Sequence, residues 1–204
     1  MLIGGDAVPG PNAAAVMELL RELGSRVQTV RGNGERDVAQ AVLTTTPHTD
    51  NMHVWTKRRL DIRDLAQVAD MPIVVELSGT LFCHATPTRD DRAVNHDDAA
   101  PDVLAAVSPV SRGTLIMGHT HRQFDRTIGE LRIVNSGSVG LPCEDAPGAR
   151  WALVDGPQIY LNTTSYDHED EADEWEASDF PEAARWADML RAPQQMGWHE
   201  ATPF

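Results

Sequence analysis

The chain reads as a layered α/β domain with mixed sheets. Two observations predict it: helical and strand periodicities alternate along the 204 residues, and polar residues gather where apolar strands end. A third is size, since this length buries a real core and most simply forms one domain.

Leu2-Ile3-Gly4-Gly5-Asp6 is a short strand that delivers an acidic residue to a loop. Asn12 can cap a helix whose Val16, Leu19, Leu20 and Leu23 follow i, i+3, i+4, i+7, and Gly24 stops it. Val27 to Val30 is β-rich and runs into Arg31-Gly32-Asn33-Gly34-Glu35. The unit is β-α-β, which puts the carboxyl ends of both strands on one side.

Helices are expected over Arg36 to Leu43 and around Ile62, Leu65, Ala66 and Ala69, the latter starting near Asp61 and ending before Pro72. Ile73 to Leu77, the turn Ser78-Gly79, and Thr80 to Cys83 read as a hairpin ending at His84. A polar loop and a short helix over Pro101 to Val107 follow. Leu115-Ile116-Met117 is a buried strand ending at Gly118-His119-Thr120-His121. A second hairpin joins Gln123–Ile128 to Leu131–Val134 through Gly129-Glu130 and closes on Asn135-Ser136-Gly137-Ser138. Two more strands span Trp151–Val154 and Ile159–Asn162, and a last helix Pro181–Leu190. The expected division is a domain over 1–165, then an acidic connector and C-terminal helix over 166–204.

The sequence carries 31 acidic against 17 basic side chains, a formal net charge of −14. That balance repels nucleic-acid phosphates and anionic membranes, so neither is an expected partner. No apolar run approaches the roughly 20 residues that span a bilayer, and the N-terminus lacks a signal-peptide pattern. A cytoplasmic location is expected. Cys83 and Cys143 lack a CxxC spacing and are expected as reduced thiols.

The sharpest chemical signal is Gly118-His119-Thr120-His121 directly after an apolar strand. Two His spaced by one residue in a loop can both reach a metal, although surface or core histidines have the same spacing. His84, Asp6 and Asn33 each have a plain reading as strand-end, capping or turn residues. Together they place one Asp, one Asn and three His at strand-to-loop junctions, a donor set suited to hard or borderline metals.

Gly5-Asp6, Gly32-Asn33, Cys83-His84-Ala85-Thr86-Pro87, Gly118-His119-Thr120-His121 and Asn135-Ser136-Gly137-Ser138 stand in the order of the calcineurin-like metallophosphoesterases. From about Leu2 to Leu161 the chain resembles the small single-domain bacterial phosphodiesterases of that family. The resemblance implies a four-layer α/β/β/α sandwich of two mixed sheets flanked by helices. It also implies that Asp6 bridges two metal ions. Asn33, His84 and His119 would complete one shell, and His121 would belong to the other ion. Asp6, Asn33 and His84 would serve catalysis. Two such ions, roughly 3.5–4 Å apart, clamp a phosphate and lower the pKa of a bound water. Manganese is the expected ion, with zinc, iron(II) and nickel as alternatives.

Two departures stand out. The family begins with a strand carrying Asp-x-His and a helix, whereas this chain opens at the second strand. The expectation is therefore one well-formed metal site and one depleted site that keeps Asp6 and His121. Either the gene starts upstream of Met1, the preferred explanation, or the chain is a truncated relative. Second, many members carry a histidine after the asparagine. Gly34 cannot replace it and Glu35 offers only a nearby carboxylate, so general-acid assistance of about 10²–10⁴-fold is at stake.

Three functions follow from this. The first is a hydrolase acting on phosphodiesters or phosphomonoesters of a small phosphorylated substrate. The second is a non-catalytic scaffold that keeps the fold, as some members do in trafficking complexes. The third, a nuclease, is disfavoured by the charge. Arg122 reads either as a solvated surface arginine or as a cation for a phosphate oxygen, and Thr86 and Arg89 as candidates for the substrate cleft. A homodimer is compatible with the sequence. Trp175, Trp186 and Trp198 fit either such an interface or the chain's own core.

Overall fold

A computed structural model describes residues 1–43 and 51–193. Strand β1 (Leu2–Ile3) pairs in parallel with β2 (Gln28–Thr29), and helix α1 (Ala13–Leu23) makes the crossover. The β-α-β unit is thus present. Its helix begins after Asn12, but the Asn12 side chain does not cap it and instead donates to Glu171 Oε1 at 3.4 Å.

Helix α2 (Asn33–Gln40) starts at Asn33 itself, three residues earlier than its apolar pattern suggests. Helix α3 (Met52–Arg59) has no counterpart in the periodicity reading. Its buried run His53-Val54-Trp55-Thr56 is continuous rather than spaced every three or four residues, so no amphipathic stripe announces it. Its start is set by Asn51, whose side chain accepts the N–H groups of His53 and Val54 at 3.1 and 3.0 Å. Helix α4 (Ile62–Asp70) has the expected Asp61 cap, with Asp64 closing a capping box.

The main sheet has five strands in the order β3-β4-β5-β7-β6. Strands β3 (Val74–Leu77) and β4 (Thr80–Cys83) form the first hairpin. Strand β5 (Arg112–Met117) lies parallel to both β4 and β7 (Glu130–Ser136), and β6 (Gln123–Ile128) pairs antiparallel with β7. Helix α5 (Ala100–Ala106) contributes Val103 to the core on this sheet, alongside Val107, Leu115, Met117, Phe124, Leu131 and Ile133. A second core joins Val8, Met17, Leu20, Val38, Val68 and Met71, mostly from α1, α2 and α4.

One mixed sheet is present among the described residues where two were expected. The remaining strands form the β1–β2 pair and an antiparallel hairpin of β8 (Ala149–Asp155) with β9 (Gln158–Thr164). Two-residue pairing between β1 and β2 leaves too short a ladder to extend a sheet.

The acidic stretch expected as a solvated connector forms helix α6 (His168–Ala177), packed against α7 (Ala183–Arg191). Ala172, Ala187 and Leu190 are buried between them. Arg191 gathers Glu169, Asp173 and Glu176 within 3.4 Å, which offsets the like charges along α6. Trp175 and Trp186 pack with Trp55 and Phe180 in the chain's own core, and Trp198 lies outside the described residues. Cys83 and Cys143 are buried and not joined by a disulfide. No helix among the described residues is long and apolar enough to cross a membrane.

Candidate metal centre

Parallel pairing explains why the predicted donors meet. Asp6 follows β1 and Asn33 follows β2, so both leave the carboxyl end of the small sheet. His84 follows β4, and His119 and His121 follow the parallel neighbour β5. The ladder continues past the strands, with Gly118 N–H donating to His84 O at 2.8 Å. The two sheets are tied at the site, where His84 Nδ1–H donates to Gly4 O at 2.7 Å.

Donor atoms of Asp6, His84 and His119 all lie within 4.8 Å of one another. His84 Nε2 stands 3.1 Å from Asp6 Oδ2 and 3.2 Å from His119 Nδ1. Asn33 is buried, and its Oδ1 has no hydrogen-bond partner among the described residues. A buried amide oxygen left unpaired is costly unless something else occupies it. One carboxylate, two imidazoles and an orphan amide oxygen are therefore a donor set that fits a divalent ion. His121 is outside the three-residue cluster but within electrostatic reach of Asp6. Its Nδ1–H donates to Leu141 O at 2.7 Å, which fixes the tautomer with the lone pair on Nε2.

Burial alone would raise the Asp6 carboxyl, but the charge and hydrogen bond of His84 and the Gly34 N–H hold it well below the usual range. Burial opposes charge on His84, yet Asp6 wins and pushes the ring up to about 9. The metal-free pair is thus an ion pair, and a metal must displace its proton. His119 is pushed down to about 4 by burial and by charged His84. Burial also lowers His121.

Backbone strain concentrates here. Asp6, His119 and His121 hold positive φ of 55°, 65° and 58°, three of the five such non-glycine residues among those described. Asp and His tolerate this region better than most side chains, and such strain persists only where the surroundings impose it. Gly5, at φ 91°, has His84 Nδ1 2.6 Å from where a Cβ would stand.

Two supports escaped the sequence reading. Glu35, noted only as a nearby carboxylate, is fully buried and accepts N–H groups from the loops that carry Asp6 and Asn33. Asn135 donates from Nδ2 to Gly118 O at 2.5 Å and Thr120 Oγ1 at 3.0 Å, holding the His119–His121 loop. Thr86 and Arg89, in contrast, make a turn. Thr86 N–H donates to Arg89 O at 2.9 Å, and Arg89 pairs with Asp91.

Residues 2–156 match the calcineurin-like phosphoesterase superfamily domain, about three-quarters of the chain, and the protein belongs to that family of metal-dependent phosphoesterases. A hypothetical protein from Pyrococcus horikoshii OT3 superposes with TM-score 0.80 at 20% identity, covering 96% of this chain and 85% of its own. A metallophosphoesterase from Sphaerobacter thermophilus superposes with TM-score 0.75 at 19% identity, covering 93% of this chain and 87% of its own. At these identities the likeness is one of fold. No protein of curated function matches the sequence.

Proposed function

We propose that this chain hydrolyses phosphate esters, phosphodiesters foremost, of a small phosphorylated substrate, with manganese as its working ion. The observation that carries the reading is the convergence of Asp6, His84 and His119, with Asn33, of unpaired Oδ1, on the loop whose Gly34 N–H donates to Asp6. A divalent ion held by these four residues would supply a Lewis acid for phosphate oxygens and a water of lowered pKa.

The chain's own residues then have separate roles. Gly4 O fixes the His84 ring so that Nε2 faces the donor cluster. Neutral His119 keeps one ring-nitrogen lone pair at physiological pH. His121, oriented by Leu141 O, keeps its lone pair on Nε2, and the residue that it matches in the family serves the second ion. No side chain at position 34 assists the leaving group, so esters with good leaving groups should turn over best.

A catalytically silent scaffold is the second reading. The observation for it is the His84–Asp6 ion pair, which satisfies the cluster's charge without a metal. Metal content and hydrolysis of bis-p-nitrophenyl phosphate with added Mn²⁺ separate the two. The proposal expects bound metal and turnover, both lost in His119→Ala. Equal metal content and no turnover in either protein would leave the scaffold.

A further inference from the structure

A cavity of about 220 Å³ opens beside the metal-bearing loop. Thr120 and Arg122, the two neighbours of His121, line it together with Phe124 and the segment Asn95-His96-Asp97. That segment is held rather than loose. Arg126 Nη1 donates to His96 O at 2.9 Å and Asp98 O at 2.6 Å, and Asn95 N–H donates to Asp98 Oδ2 at 2.8 Å. The His96 ring rests edge-on against Phe124, with centroids 6.2 Å apart.

Arg122 is the unusual member. It is half-buried, and no hydrogen bond or ion pair joins it to another described residue. Among the half-buried arginines, Arg31, Arg36, Arg132, Arg150 and Arg191 face carboxylates and Arg126 faces backbone carbonyls. In a chain of net charge −14, a partly desolvated guanidinium with neither kind of partner is suited to an external anion.

Resting on the phosphoesterase reading, we propose that this cavity binds the organic side of the substrate, and that the substrate is a phosphate ester of one sugar or nucleoside. Arg122, on the metal side, takes phosphate oxygens. Asp97, on the 95–97 segment, accepts hydroxyl donors. Asp97 repels a second phosphate in that position, and a lipid tail finds only Phe124 as an apolar wall. The volume lies below the roughly 300 Å³ at which drug-sized sites begin, in keeping with one sugar or nucleoside.

The test uses the p-nitrophenyl ester of thymidine 5′-monophosphate, bis-p-nitrophenyl phosphate, and calorimetric binding of thymidine 5′-monophosphate with and without Mn²⁺. Arg122→Ala is expected to raise KM for the thymidine ester and weaken nucleotide binding on the order of ten- to a hundredfold, with Mn²⁺ affinity unchanged. Arg122→Lys should recover part of the loss. Asp97→Asn should lower the preference for the thymidine ester over bis-p-nitrophenyl phosphate. Turnover with the same KM in Arg122→Ala would overturn the cavity proposal and leave the phosphoesterase intact. Nucleotide binding that needs Arg122 without any turnover would overturn the enzyme and keep the cavity. No nucleotide binding by the unaltered protein would overturn the cavity assignment outright.

Discussion

The Glu35 carboxylate accepts the backbone N–H of Asp6 at 2.7 Å, and through the same Oε2 the N–H of Gly32, also at 2.7 Å. Its Oε1 accepts Ala7 N–H at 2.6 Å and Val8 N–H at 3.3 Å. One buried side chain thus joins the loop after β1 to the loop after β2, and sets the distance between Asp6 and Asn33. Burial and the Asp6 charge push Glu35 up, while the N–H groups of Asp6 and Gly32 pull against them.

Glu35→Gln keeps the shape but replaces one acceptor oxygen by a donor facing N–H groups. We expect Mn²⁺ affinity to fall on the order of 10–100-fold and stability by about 1–3 kcal/mol. Metal titration and urea unfolding read the two effects. Unchanged metal affinity would show that Glu35 serves the fold alone.

The Asp6–His84 pair predicts the pH profile of the metal-free protein. His84 titrates near 9 when folded against 6.5 when unfolded, so its stabilisation is full below 6.5 and is lost as pH rises through about 9. His119 is the reverse. Lowered to about 4, it removes stability as pH falls from 6.5 toward 4, because the unfolded chain binds the proton first. Asp6, held low, adds to the acid loss below its ordinary 3.8. Stability without metal should therefore peak near pH 6.5, measured as urea midpoints across the range. A profile still rising at pH 9 would contradict the ion pair.

Metal uptake should release the His84 proton. Apparent Mn²⁺ affinity is expected to rise with pH up to about 9 and level off above it. Calorimetry in buffers of different ionisation enthalpy counts the proton. Absence of release at neutral pH would mean that His84 is not a ligand.

Position 34 is closed to side chains. A Cβ there would come within 2.9 Å of both Pro9 Cδ and Asp6 Oδ1, and Gly34 N–H already donates to Asp6 Oδ1 at 2.7 Å. Gly34→Ala is expected to cost roughly 1–3 kcal/mol and to weaken metal binding. Gly34→His should fail to add general-acid assistance, since the contact with Asp6 remains even when Pro9 is replaced by glycine. Improved turnover in the single variant, against bis-p-nitrophenyl phosphate, would show that the loop yields.

Asn51→Ala provides the contrast, since this cap serves α3 and bonds none of Asp6, His84 and His119. A loss of about 1 kcal/mol in urea unfolding with unaltered Mn²⁺ affinity is expected. A change in metal affinity would tie α3 to the site.

The class of fold, most strand positions and the residues at the strand ends are legible along the chain, because alternation, turn residues and short motifs are local properties. The hairpins at Ser78-Gly79 and Gly129 and the capped helix at Asp61 stand where their residues place them. Only the tertiary structure decided the rest. Helix α3 lacked a stripe because its buried face touches neighbours on several sides, and α6 was hidden by acidity that Arg191 offsets from another helix. Glu35 looked like a spare carboxylate because its four N–H donors come from both loops, three of them more than 25 residues away in sequence. Arg122 shares a cavity with residues 95–97 only because the fold brings the two segments together. Donor identity is written in local sequence. Donor geometry depends on contacts between distant segments, and those exist only once the sheets have packed.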